Sequence, residues 1–281
     1  MLGGALFNSL PKASQEFQVY GTFRSGAKVP LGEHNSKLIG LEDVFDENKL
    51  RDILVEYEID VVINAIGLIK QIVGTSKLSF IKVNAMLPHY LMELCDEVGA
   101  RFIEISTDCV FSGKKGNYTE NDIADAKDIY GVTKLLGEVT DNPNAITIRT
   151  SIIGHESGRA ASLIDWFLST SGEVKGFSKA IFSGFPTAYL ASIIGQYVIP
   201  NRELNGLYHV SAEPIDKFTL LMLVADVYEH NVQLTPDTKL VIDRSLNSNK
   251  FRKATGFTPP AWPELIKIMQ HERPVWKFNE N

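Results

Sequence analysis

Tyr130 and Lys134 stand four residues apart in Tyr130-Gly131-Val132-Thr133-Lys134, and of the nine tyrosines only Tyr130 has a lysine at that offset. On a helix the two side chains share one face, a turn apart. An ammonium beside a phenol favours the phenolate, so the pair can exchange a proton near neutrality. The same spacing also suits an ordinary, partly exposed helix face. A second group lies upstream, where Ile105-Ser106-Thr107-Asp108 closes an apolar run with hydroxyls. In an open parallel sheet the carboxyl ends of the strands form the ligand crevice. A hydroxyl there can share a substrate carbonyl oxygen with the tyrosine. The alternative is a hydroxyl-rich turn that caps the next segment.

Two more strand ends carry ligand chemistry. Asn64-Ala65-Ile66-Gly67 is a small-residue turn. Such a turn lets a cofactor approach the backbone closely, or is simply tight. Gly21-Thr22-Phe23-Arg24 ends in a cation. In dinucleotide-binding sheets an acid at this place holds the ribose 2′-hydroxyl, whereas arginine suits a 2′-phosphate. Arg24, with no acid nearby, favours NADP over NAD. A solvated loop arginine is the other reading.

These residues need strands and helices to position them. Phe17 to Arg24, Asp60 to Gly67, Arg101 to Thr107 and Ala145 to Ile153 read as strands. Asn48 to Glu58, Leu78 to Val98 and Ile129 to Val139 read as helices, with apolar residues at helical spacing. Strands without clean polar alternation, separated by helices, predict a parallel sheet covered on both faces. After Gly154 the pattern is less regular. Short β-like runs at Ala180 to Phe182, Leu207 to Val210 and Leu240 to Ile242 mix with helices at Thr187 to Val198 and Ile215 to Glu229. The expected organisation is a nucleotide-binding part over residues 1–154 and a smaller α/β substrate lobe over 155–281, with a soft boundary and interleaved segments.

Composition narrows the function. The 281 residues carry 28 Lys and Arg against 34 Asp and Glu, a net charge of −6. A mildly acidic chain lacks the basic footprint of phosphate-backbone binding, so no nucleic-acid partner is expected. Two cysteines, Cys95 and Cys109, make no disulfide framework, and with six scattered histidines they show no metal-ligand spacing. They read as free thiols in a reducing, cytoplasmic setting. No stretch approaches a membrane span, and the apolar start lacks a basic signal-peptide region.

Taken together, these motifs resemble the extended short-chain dehydrogenases/reductases, and among them the dTDP-4-dehydrorhamnose reductase family, over essentially the whole chain. Ser106-Thr107-Asp108 with Tyr130 and Lys134 resembles the family's catalytic triad. Asn64-Ala65-Ile66-Gly67 resembles its turn beside the cofactor, and Asn84 the asparagine that supports the active site. Arg149-Thr150-Ser151-Ile152-Ile153-Gly154 resembles the strand and loop beside the nicotinamide. Gly184-Phe185-Pro186-Thr187, Arg244-Ser245-Leu246-Asn247 and Trp262 resemble motifs of the substrate lobe.

The resemblance implies a Rossmann-type doubly wound parallel sheet and reduction of a nucleotide-linked 4-keto-6-deoxy sugar by NADPH. Tyr130 would protonate the developing alkoxide. Lys134 would lower the tyrosine pKa and bind the nicotinamide ribose, and Thr107 would hydrogen-bond the carbonyl oxygen. Ser106, Cys109 and Arg244 would face the substrate, with Arg244 on its diphosphate or in a structural ion pair. A nucleotide-sugar epimerase and a non-catalytic NADP-binding regulatory subunit share the fold and stay open as alternatives, as does a homodimer.

Two departures from the family pattern stand out. Nucleotide-sugar 4,6-dehydratases carry Thr-Asp-Glu, but here the run is Thr107-Asp108-Cys109. Without that glutamate, water elimination lacks its base and simple keto reduction is favoured. Where rhamnose-type reductases have tyrosine, this chain has Cys109. The family also opens with a strand and Gly-x-x-Gly-x-x-Gly. Met1-Leu2-Gly3-Gly4 matches only its end, with Gly3 as the third glycine. The expectation is a protein whose first strand and half phosphate loop lie upstream of Met1.

Overall fold

The computed structural model describes residues 1–24, 26–30, 32, 34–69, 74–156, 162–272 and 276–278. The first half of the chain alternates helix and strand. α1 (Leu2–Ala13) leads to β1 (Val19–Phe23), β2 (Lys28–Pro30) and β3 (Ser36–Gly40). Next come α2 (Glu47–Glu56), β4 (Val61–Asn64), α3 (Lys77–Phe80) and, after a π-helical turn over Ile81–Met86, α4 (Leu87–Val98). β5 (Arg101–Thr107), α5 (Ile129–Leu136) and β6 (Ala145–Thr150) complete it.

The remainder begins with β7 (Ile152–Ile153), α6 (Leu163–Leu168), β8 (Glu173–Phe177), β9 (Ala180–Phe182) and β10 (Phe185–Pro186). α7 (Thr187–Ile193) runs into a second π turn, Ile194–Val198, ahead of β11 (Gly206–His209). The order closes with β12 (Ile215–Asp216), α8 (Lys217–Val227), β13 (Gln233–Asp237), β14 (Ile242–Asp243), α9 (Asn249–Thr255), α10 (Trp262–His271) and β15 (Trp276–Phe278).

The central sheet is parallel, in the order β11-β6-β5-β4. β1 and β3 form a separate parallel pair. β6 is buried along its whole length and β5 along nearly all of it. Successive residues of a strand face opposite sides, and the two sides meet different cores. Ile103 and Ile146 join a cluster that runs from Leu6 of α1 to Leu190, Leu220 and Leu265 of the C-terminal helices. Phe102 joins a second cluster with Leu50 and Ile53 of α2 and Leu91 of α4. The sheet is therefore covered on both faces, as its apolar strands require. One of the two cores spans the N-terminal and C-terminal parts alike.

The expected helix over Leu78 to Val98 is present but contains the π turn, and its cause is local. Pro88 has no backbone N–H, so it cannot donate to the carbonyl of Asn84 four residues back. The Leu87 N–H bonds to Lys82 instead. The freed Asn84 carbonyl abuts Gly137, where a Cβ would overlap it and would sit 3.1 Å from the Pro88 ring. α5 accordingly ends at Leu136, short of the expected Val139. A glycine is required there so that α5 can lie against the π turn that carries Asn84. Gly137→Ala should cost about 1–3 kcal/mol of stability through overpacking. Urea denaturation measures it, and an unchanged midpoint would contradict the close contact.

Candidate active site

α5 starts where its sequence directs it. The Asp128 carboxylate caps it by accepting from the N–H groups of Tyr130 and Gly131, both at 3.1 Å. Gly131 has no Cβ to strike the Cys109 carbonyl behind it. The first turn of the helix therefore rests on the segment just after β5. This brings Tyr130 to Thr107, the last residue of that strand. One helical turn further along, Lys134 reaches Glu104, three residues back along the strand. The Lys134 ammonium donates to Glu104 Oε1 at 2.7 Å, and both side chains are almost entirely buried.

Burial holds the Tyr130 phenol above its ordinary pKa, and the neighbouring Cys109 thiol pushes the same way. Hydrogen bonding to Thr107 opposes them. The ammonium is committed to Glu104, and desolvation dominates at the tyrosine. The phenol is a proton donor over the whole neutral range.

Glu104 is itself pushed above the ordinary carboxylate range by burial, with Lys134 and the Asn64 amide pulling it back. Asn64 pairs with Glu104 in the β4–β5 register. Its amide donates to Glu104 Oε2 at 2.7 Å, and its carbonyl oxygen accepts from the Ile66 N–H at 3.1 Å. The turn over Asn64, Ala65, Ile66 and Gly67 is pinned at its far end by Asn84. That side chain accepts from the Leu68 N–H at 2.8 Å and donates to the Leu68 carbonyl at 3.0 Å. Asn84 thus supports the turn, and its amide also donates to Thr133 Oγ1 of α5 at 3.4 Å. Ala65 adjoins the first turn of α1, where a Cβ on Gly3 would lie 3.7 Å from its own. Arg24 follows β1, exposed, and among the described residues nothing pairs with its guanidinium.

On the other side of the tyrosine, Thr107 Oγ1 accepts from the Cys109 N–H at 3.1 Å. The Cys109 thiol is pushed up to about 12 by burial and by the charge of Asp108, so it stays a thiol. Burial also raises the Asp108 carboxyl, against its hydrogen bond with Cys109 and the nearby charge of Arg244. The Arg244 guanidinium donates to the Phe111 carbonyl at 2.8 Å. It therefore shapes the loop after β5 while its charge lies toward the site. Ser106 departs from expectation. Its neighbour Thr107 faces the tyrosine, and its own hydroxyl donates to Glu138 at 2.6 Å.

Two residues of this cluster carry no motif, Glu104 and Glu138. The one signal for Glu104 is its place between Ile103 and Ile105 in a buried strand, because a buried charge needs a partner. Among the described residues no group of His, Cys, Asp or Glu is placed to hold a metal ion, and no helix is long and apolar enough to cross a membrane.

A family model described as the RmlD substrate binding domain matches residues 1–273. A dTDP-4-dehydrorhamnose reductase of Aggregatibacter actinomycetemcomitans is 25% identical over 275 residues, covering 87% of this chain and 93% of that protein. The spore coat polysaccharide biosynthesis protein SpsK of Bacillus subtilis is 30% identical over 248 residues, 82% of this chain and 86% of its own. The crystal structure of a dTDP-4-dehydrorhamnose reductase from Bacillus anthracis, in complex with NADP, superposes with a TM-score of 0.73 at 19% identity, covering 96% of this chain and 97% of that one. The tyrosine, lysine and threonine gathered at the end of β5 thus sit in a frame shared with these proteins along almost the whole chain, which belongs to the RmlD substrate-binding-domain family of extended short-chain dehydrogenases/reductases.

Proposed function

We propose that the protein is an NADPH-dependent reductase of the 4-keto group of a nucleotide-linked deoxy sugar, working in the cytoplasm in the making of surface polysaccharide. The observation that carries this is the meeting of Tyr130 with Thr107 at the carboxyl end of β5, with the buried Lys134 one turn away. Residues 1–154 would serve the cofactor and 155–281 the sugar nucleotide.

The donor set fits NADP. Arg24 is an exposed cation at the end of β1, suited to the 2′-phosphate. The first turn of α1 at Gly3 adjoins the small-residue turn at Ala65, and a helix start favours an anionic group. Lys134 brings a buried ammonium with donors to spare for a ribose. NADPH, when bound, supplies the hydride for the carbonyl carbon. Thr107 donates a hydrogen bond to the carbonyl oxygen. Tyr130 gives its proton to that oxygen as the C–O π electrons collect there, and the product is the alcohol. A phenol that stays protonated through neutral pH suits this direction of reaction. Arg244, with its charge toward Asp108 and the site mouth, suits the substrate diphosphate.

NADPH oxidation with a panel of nucleotide-linked 4-keto sugars tests the reading. Tyr130→Phe should lower kcat by roughly 10²–10⁴-fold with NADPH binding retained. Absence of turnover with every sugar in the panel would refute the reductase. Arg24→Ala should raise KM for NADPH by about 10–100-fold, the equivalent of one lost charge-assisted contact of about 1.5–3 kcal/mol. KM for NADH should not move, so steady-state kinetics with both cofactors checks the assignment.

A further inference from the structure

We propose that Glu104 is a positioning residue for Lys134, fixing where in the site its ammonium sits. The proposal rests on the reading of Tyr130 and Lys134 as the catalytic pair. Glu104 is completely buried in the middle of β5. Both carboxylate oxygens are engaged, Oε1 by Lys134 and Oε2 by Asn64, each at 2.7 Å. Held from two sides, the carboxylate has no freedom to turn. Asn64 is held in turn by the Ile66 N–H, so the position of the ammonium is tied to the small-residue turn at the end of β4.

The sheet itself has no need of this acid. Phe102, two residues earlier on the same face of the strand, is apolar and fully buried, and burying a carboxylate beside it is unfavourable unless it is paired. What the acid adds is a fixed acceptor for a long, many-rotamer side chain. Glu138, whose charge acts on Glu104, is occupied by Arg149 through two hydrogen bonds of 2.7 Å and by Ser106. Lys134 has three N–H donors and Glu104 takes one, which leaves two for a cofactor ribose. Without Glu104 the ammonium would have to find another acceptor and would leave this place. Displacements of about 1 Å cost on the order of 100-fold in rate at a site of this kind.

The test is a double-mutant cycle of wild type, Glu104→Gln, Lys134→Met and the double variant. NADPH binding is followed by fluorescence titration, and kcat and substrate KM by NADPH oxidation with the active 4-keto sugar. Glu104→Gln keeps the shape and removes the charge. It should weaken NADPH binding and lower kcat by on the order of 10–100-fold each, with sugar KM unchanged. Lys134→Met should lose at least as much, and the double variant should match Lys134→Met alone, because Glu104 acts through the lysine. Losses that add in the double variant would overturn the proposal, as would wild-type binding and turnover in Glu104→Gln. Wild-type binding and turnover in Lys134→Met would instead overturn the catalytic pair, and the proposal with it. If Glu104→Gln does not fold, Glu104→Asp carries the test. It keeps the charge but draws it back by one methylene, so weakened NADPH binding supports the role and unchanged binding overturns it.

Discussion

A carboxylate in the middle of a buried parallel strand constrains everything placed around it. Glu104 has no water to solvate it, and removing one partner of such a pair costs about 3–5 kcal/mol. That is a large part of the ~5–15 kcal/mol that holds a typical domain folded. The partner arrives from α5, thirty residues along the chain. Meeting it fixes how far α5 slides along β5 and which way it is rotated. Once Lys134 is seated, the residue one turn earlier on the same face lies at the end of the strand. That residue is Tyr130, and the strand ends in Thr107. The meeting of Tyr130 with Thr107 therefore follows from a charge that must not be left alone. The pair adds little net stability compared with an apolar replacement, so its weight in the structure lies in geometry.

A second buried network ties the site to the C-terminal part of the chain. Arg149 of β6 grips Glu138 with two hydrogen bonds, and Glu138 also accepts from Ser106. The Arg149 guanidinium lies 5.1 Å from the Phe111 ring centroid, and Phe111 stacks on Tyr118. His209 of β11 completes the group. Burial and the charge of Arg149 lower its pKa to about 4, so the ring is neutral at pH 7. Its Nδ1–H then donates to the Tyr118 carbonyl, and Nε2 is left to accept from Arg149 at 3.4 Å. The backbone of Tyr118 also bonds to Ser245 and Asn247. Through these contacts the loop after β5 is fastened to the segment that carries Arg244. A rigid loop matters here, since it supplies Cys109, whose backbone bonds to Thr107.

Much of this arrangement is legible in the amino-acid sequence. β5 occupies the span its apolar run predicts, and the shared face of Tyr130 and Lys134 needs only the helical period. Other features have no local mark. Nothing near Glu104 or Glu138 in the sequence shows that Lys134 and Arg149 answer them, because those partners meet only when the strands pair and α5 docks. The π turn is marked only in part. A proline at position 88 says that the Asn84 carbonyl loses its donor, but not that the helix continues, nor that Gly137 makes room for it.

The behaviour of Tyr130 follows from the same balance of terms. A phenol beside a lysine is expected to ionise readily, but that expectation treats the ammonium as free to act on it. In the folded chain the ammonium is already neutralised by a carboxylate at 2.7 Å. A paired ammonium offers a distant phenolate far less than a bare one, because the two opposite charges nearly cancel beyond their own separation. Desolvation, which always disfavours the charged form, then decides the tyrosine. For reduction this is the useful outcome. The proton must stay on the phenol until an oxygen of higher basicity forms beside it, and a carbonyl on its way to an alkoxide is such an oxygen. Glu104 thus holds the lysine, while burial of the phenol keeps the tyrosine protonated.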